Sequence, residues 1–270
     1  MGKKYMKIGR IVSYGCSFTA GQELGDAEIL QIDEDVLDKM KRDAGVLSGA
    51  NIYKTKEMQN KCDELSLTLS WPSHLAKKIN VPCWNRAVLG TSLGDAIYKL
   101  TYDLEHGHIK DDDLIIVGIT CPTRFSTLID NGYMRTRMIA YQTPFWPSKD
   151  IHEFMIKTWG TDSNLIWEHA KHIKYLDLLS DSLGGRIKMV MTVFSWDHLL
   201  QHSYPNHISW MSDIQFKHLM DRDVCFTATY GNTAQDYEDA IHGWGHPKLK
   251  FHISFADVVY NMLHERNIIQ

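Results

Sequence analysis

Apolar runs that end at glycine or asparagine alternate along this chain with stretches whose apolar residues recur every three to four positions. The run from Ile8 to Tyr14 stops at Gly15 and predicts a buried strand. Val81–Asn85 predicts a short second strand, and Leu114–Ile119, apolar throughout, a central parallel strand covered on both faces. Arg186–Phe194 reads as a further strand and Val224–Thr229 as a last short one. Between them lie helices. Trp71–Ile79 opens with Pro72 in its first turn, and Leu93–Glu105 follows a serine. Ser163–Leu183 carries Leu165, Ile166, Ile173, Leu176, Leu179 and Leu183 near a 3.6-residue period and ends at Gly184-Gly185. Ile253–Arg266 closes the chain. Strands alternating with helices predict a three-layer α/β/α sandwich with a mostly parallel central sheet.

Three stretches fall outside this rhythm and read as insertions at about 26–70, 125–163 and 195–222 in one α/β domain spanning 1–270. The first is dense in charge. Its sparse apolar positions Ile29, Ile32, Val36, Leu37 and Met40 suit a surface helix with a solvated face, with a substrate lid as the second reading. The second is rich in aromatics, and Pro144 and Pro147 argue against one continuous helix. It reads as a pocket wall whose rings pack on the core or stack on sugars.

At 270 residues, with 44% hydrophobic and 23% charged positions, the chain has the composition of a soluble globular protein with a sizeable core. A net charge of −4 argues against affinity built on phosphate neutralisation, so no nucleic-acid partner is indicated. The five cysteines are scattered and never form a CxxC pair, which reads as reduced thiols in a cytoplasmic setting and not as a zinc site. A virion protein would share this pattern. There is no apolar run of membrane-spanning length and no signal-peptide pattern.

The candidate chemistry begins where the first strand ends. Gly15-Cys16-Ser17-Phe18-Thr19-Ala20-Gly21 places Ser17 just past a glycine, where a tight turn lifts the hydroxyl out of the sheet. The serine's backbone N–H is then free to bind a developing oxyanion. Gly and Ser are also ordinary turn residues, so this stretch alone fits a plain strand-to-loop turn equally well. Downstream come Asn85-Arg86-Ala87-Val88-Leu89-Gly90-Thr91-Ser92, then Gly118-Ile119-Thr120-Cys121. Last comes His246-Pro247-Lys248-Leu249-Lys250-Phe251-His252, leading into the final helix.

In this order the stretches resemble blocks I, II, III and V of the SGNH (GDSL-like) hydrolases, over roughly 100 residues. The Gly-Cys-Ser-Phe-Thr-x-Gly and Trp-Pro-x-x-Leu-Ala variants look like SGNH-like proteins of tailed phages, which would fit a virus-encoded origin. The resemblance implies a flavodoxin-like sandwich with Ser17 as nucleophile and His246 as base. The oxyanion would be held by the N–H groups of Ser17 and Gly90, with a third donor at Thr120. It implies hydrolysis of an acyl ester, such as an O-acetylated carbohydrate, without a cofactor. Three positions depart from the family pattern. Cys16 stands for Asp, Thr120 for the Asn amide, on a shorter reach, and Gly243 for the Asp that orients the histidine. Asp236 or Asp239 is a candidate replacement for that acid, and Arg124 a candidate substrate contact.

Asp239-Ala240-Ile241-His242 offers a rival base, but it lacks the following proline and has the wrong offset to the last helix. His242 and His246 have the spacing of helical metal ligands, yet Gly243-Trp244-Gly245 between them makes a poor helix. A catalytic metal is therefore not expected. A non-catalytic binding or virion-assembly descendant is the alternative function.

Overall fold

The computed structural model describes residues 6–21, 24–43, 55–88, 91–119, 124–129, 133–138, 162–192, 225–228 and 247–270. In chain order they form β1 (Arg10–Tyr14), α1 (Ser17–Ala20), α2 (Leu24–Leu30), α3 (Glu34–Asp43), α4 (Lys56–Leu69), α5 (Trp71–Ile79) and β2 (Cys83–Asn85). Then come α6 (Leu93–Glu105), β3 (Asp113–Ile119), β4 (Arg124–Ile129), β5 (Tyr133–Met138), α7 (Asp162–Ser182), β6 (Ile187–Thr192), β7 (Cys225–Ala228) and α8 (Leu249–Glu265).

Five of the strands pair in parallel in the order β2-β1-β3-β6-β7. β3 is buried at every residue, as its unbroken apolar run requires. Successive side chains of a strand leave on opposite faces, and the two cores follow that alternation. On one face Val12, Tyr14, Ile115, Val117 and Ile119 meet α6 and α7 through Leu93, Ile97, Leu100, Ile173 and Leu176. On the other, Ile11, Leu114, Ile116 and Val190 meet α5 and α8 through Trp71, Leu75, Phe255, Ala256 and Val259. The result is the expected α/β/α sandwich.

The helix starts are chemically specified. Ser92 and Asp95 close a capping box at the head of α6, each satisfying a backbone N–H that the first turn cannot. At α5 the Trp71 N–H donates to Nδ1 of His252, a fully buried imidazole in the first turn of α8, at 3.0 Å. The second histidine of the His-Pro-x-x-x-x-His stretch therefore joins two helices. α8 begins one turn earlier than its apolar period alone indicates.

One expectation needs correction. The 26–70 stretch is not one surface helix, because Gln31 at φ 55° separates α2 from α3. On α3, Leu37 is buried while Val36 and Met40 are half exposed. α2 packs on α4, with the Gly25 N–H donating to Ser66 Oγ at 2.9 Å. The 125–163 stretch opens with regular structure: β4 and β5 form an antiparallel pair with Ile129 opposite Tyr133. Its signal is Asn131-Gly132, a strong hairpin dipeptide between two strand-like runs. The remainder of that stretch, and the insertion at 195–222, lie outside the described residues.

One buried carboxylate ties the edge strand into the sandwich. Asp103 of α6, with no solvent exposure, accepts from Tyr14 Oη at 2.8 Å and from Arg86 Nε and Nη2, both at 2.9 Å. His108 Nδ1 lies 3.1 Å away. Burial alone would raise the Asp103 pKa. The hydrogen bonds from Arg86, His108 and Tyr14, with the Arg86 charge, outweigh it and hold the carboxyl below its ordinary range. Burial and the bond to Asp103 push the Tyr14 phenol far up. Arg86 also covers the Trp84 ring, with Arg10 near the same ring, their Cζ atoms 4.6 and 4.9 Å from its centroid.

Asp103→Asn should lower stability near neutral pH by roughly 2–4 kcal/mol, read from urea unfolding. The folded carboxyl titrates below its unfolded value of about 3.9. Its stabilisation is therefore complete above that value and is lost as pH falls through the folded pKa. The gap between wild type and Asp103→Asn should narrow as pH is taken below about 4. A gap independent of pH would contradict the assignment.

Candidate active site

The strand order reverses at β1. From β1 the chain passes through α5 on one face to reach β2, then returns through α6 on the other face to β3. Such a reversal leaves a crevice beyond the carboxyl ends of the two central strands, the usual ligand position in open α/β sheets. Ser17 follows β1 at that edge, and Ile119, the residue before Thr120, ends β3 beside it.

The turn that carries Ser17 is built by steric fit. Gly15 has φ 152°, a conformation that side-chain-bearing residues rarely adopt. A Cβ there would lie 2.3 Å from Thr19 Oγ1, and one on Gly118 of β3 would lie 2.1 Å from the same atom. Thr19, only 3% exposed, therefore fills the space that two glycines leave at the ends of adjacent strands. This accounts for the spacing of Gly15 and Thr19 around the serine, and for the Gly118 of the third block. Ser17 itself is the first residue of α1, and Ala20 N donates to Cys16 O at 2.9 Å. Cys16 is 6% exposed.

The loop after β2 is fastened to the same turn. Arg86 N donates to Ser13 O at 2.8 Å, and Val88 N to Gly15 O at 3.1 Å. The Thr91 hydroxyl lies 2.9 Å from Gly15 O and 2.8 Å from Val88 O. Residues on both sides of Gly90 thus bond, or lie within bonding reach of, one carbonyl two positions before Ser17. Asn85 adds a side-chain hub. Its Oδ1 accepts from Ser13 Oγ at 3.0 Å and from Ala87 N at 3.1 Å, and its Nδ2 donates to Thr19 O at 3.0 Å and Ser70 Oγ at 2.8 Å. Asn85 opens the second motif stretch, where the sequence alone gave it no role. A polar residue ending a half-buried strand was the available signal.

Pro247, buried, and the N-cap residue Lys248 lead into α8. Lys248 pairs with Asp35 of α3, so the first insertion touches the stretch that follows position 246. Ala256 is fully buried against the sheet side of α8. His246, His242, Gly243, Asp236, Asp239, Gly90 and Thr120 lie outside the described residues, as do the side chains of Ser17 and Arg124, the latter opening β4. Among the described residues no group of three or more His, Cys, Asp or Glu is placed to hold a metal ion. His106 and His108 are engaged with Tyr102 O and Asp103 respectively. Burial lowers the pKa of His169 to about 3 and also lowers that of His172, so these α7 imidazoles sit neutral.

Among solved structures, the chain superposes on a carbohydrate esterase whose active site displays divergent catalytic and non-catalytic binding functions. The TM-score is 0.52 at 13% identity, covering 98% of this chain and 67% of that one. The chain has the SGNH-hydrolase fold. A G-D-S-L-family lipolytic protein from Desulfitobacterium hafniense matches 94% of this chain and 99% of its own, at TM-score 0.46 and 12% identity. A family two carbohydrate esterase from Clostridium thermocellum, an active-site mutant bound to an oligosaccharide, matches 97% and 65% at TM-score 0.49 and 10% identity. No family model and no curated protein matches the sequence. Among the described residues of this SGNH-type sandwich, no helix is long and apolar enough to cross a membrane.

Gly118→Ala should cost about 1–3 kcal/mol, the usual range for overpacking, measured by denaturant unfolding. Thr19→Ala in the same chain should recover much of that loss by removing the clashing hydroxyl. If the two substitutions are additive, the glycine–threonine fit is not what holds the turn.

Proposed function

We propose that the protein is a serine esterase of the SGNH type, one domain that hydrolyses a small acyl ester such as an O-acetyl group on a carbohydrate. The observation that carries this reading is the fastening of Val88 and Thr91, on either side of Gly90, to the Gly15 carbonyl that opens the Ser17 turn at the sheet's reversal. Such a joint fixes a nucleophile against backbone donors, as acyl transfer requires. The carbohydrate esterases among its structural neighbours support the fold, and the substrate class is part of the proposal.

In this mechanism Ser17 Oγ attacks the acyl carbonyl carbon while His246 takes its proton. The oxyanion is held by the N–H groups of Ser17 and Gly90 and the hydroxyl of Thr120. His246 then protonates the leaving alkoxide, and an acyl-Ser17 intermediate remains. Water deprotonated by His246 attacks that ester and releases the acid, restoring Ser17. Asp236 or Asp239 orients the imidazole in place of the acid missing at Gly243, and Arg124 contacts the substrate. The cytoplasm, of the host if the protein is viral, is the compartment proposed. A binding or virion protein on the same fold is the second reading, favoured by the departures at Cys16, Thr120 and Gly243.

A fluorophosphonate probe should label the wild type and not Ser17→Ala, and p-nitrophenyl acetate turnover should follow the same pattern. Absence of labelling in the wild type would favour the binding reading. His246→Ala should lower kcat by about 10²–10⁴-fold, and His242→Ala far less. The opposite ranking would move the base to the Asp239–His242 pair. The rate should fall as pH drops through roughly 6–7, because only neutral imidazole accepts the serine proton.

Exhaustive EDTA and phenanthroline treatment should leave turnover unchanged. Loss restored by zinc would replace the serine mechanism with a metal-bound one.

A further inference from the structure

We infer that Asn85 is a positioning residue for the nucleophile, holding the Ser17 turn at a fixed place against the loop that leads to Gly90. This rests on the reading of Ser17 given above. The starting point is that α1 spans four residues, Ser17–Ala20. A single helical turn fixes several dihedrals for one or two hydrogen bonds and is not stable by itself. Contacts from outside the turn have to hold it.

Two such contacts meet at Thr19. Its side chain is wedged between Gly15 and Gly118, which sets the turn's distance from the ends of β1 and β3. Its carbonyl oxygen accepts from Asn85 Nδ2 at 3.0 Å, which sets the turn against β2 on the other side. Without the second contact the wedge leaves α1 free to rock about Thr19, and Ser17 lies two residues away. The amide reaches the other half of the site as well, since Oδ1 accepts from Ala87 N at the start of the segment running to Gly90. One planar group therefore spaces the nucleophile turn from the oxyanion loop.

The partners fix the amide's orientation. Thr19 O can only accept and Ala87 N can only donate, so the flipped amide would set oxygen against oxygen and N–H against N–H. Ser13 Oγ at 3.0 Å and Ser70 Oγ at 2.8 Å complete its four bonds. A side chain with all four bonds made to separate segments is rigid, and rigidity is what a positioning group has to supply. Aspartate has the same shape and keeps the oxygen that accepts from Ser13 Oγ and Ala87 N, but it turns a second oxygen towards Thr19 O. It therefore breaks the contact that matters with the smallest change of volume.

The test is turnover of p-nitrophenyl acetate per competent site, with sites counted by fluorophosphonate labelling carried to completion. This readout is blind to how much of a variant is folded. Asn85→Asp should lower kcat by about 10–100-fold, the scale on which misplacement near 1 Å acts, with KM within about twofold. Asn85→Ser, too short to reach from Ser13 to Thr19 O, should show the same split if the aspartate variant does not fold. Ser70→Ala removes another partner of the amide but leaves the Thr19 bond, and should change kcat by less than about threefold. Wild-type turnover per site in both Asn85 variants would overturn the inference and leave the Ser17 reading standing. A wild type that neither labels nor turns over would overturn both.

Discussion

Strand β1 is gripped from both faces by two consecutive residues at the end of its neighbour β2, and the rest of the molecule is arranged around that grip. A strand's period of two sends Ser13 and Tyr14 to opposite sides of the sheet, and Asn85 and Arg86 leave the end of β2 in the same alternating sense. Asn85 therefore meets Ser13 on the α5 side, while Arg86 reaches, through Asp103, the Tyr14 phenol on the α6 side. Each contact is buried or partly so, where an unmade polar bond is costly. A shift of one residue in register would exchange the two faces and leave every one of these groups without its partner. The end of β1 is thus fixed in translation and in rotation before the Ser17 turn begins.

The topology turns this rigidity into a site. At the order reversal β1 has β2 on one side and β3 on the other, and each contributes something different to the turn beyond it. β3 contributes an absence, the missing side chain of Gly118 into which Thr19 fits. β2 contributes donors and acceptors, through Asn85 and the loop bonded to Gly15 O. Steric fit resists compression and hydrogen bonds resist separation, so the two together define a position where either alone defines only a limit.

Much of this was legible in the sequence because it is periodic. The apolar runs of β1, β3 and β6 and the stripes of α6 and α7 were recoverable to within one or two residues, since burial on two faces or one leaves a direct trace in residue type. What escaped was aperiodic. The break at Gln31 that separates α2 from α3 has no proline or glycine to announce it. The β4–β5 hairpin was announced by Asn131-Gly132 but lay in a stretch where aromatic content drew more notice than alternation. The partners of Asn85 and Asp103 were beyond reach for a different reason. Thr19 lies 66 positions from Asn85 and Tyr14 89 positions from Asp103, and no local pattern encodes a contact made only when strands pair. Of the candidate site, the turn around Ser17 was readable from its glycines, while its means of support was not.

The departures from the family pattern look different once the supports are separated from the chemistry. Gly15, Gly118 and Asn85 hold the turn through Thr19, the first two by steric fit and the third by a hydrogen bond. The Cys16 side chain is buried beside them. At position 16 the sandwich buries a small, weakly polar side chain where the family carries an acid. Burying an ionised carboxylate there would require a partner, whereas a thiol requires none, so that change lightens the electrostatic demand on the turn and leaves its geometry alone. The sterically exacting part of this turn is Thr19 between Gly15 and Gly118, and Asn85 bonds to the same residue.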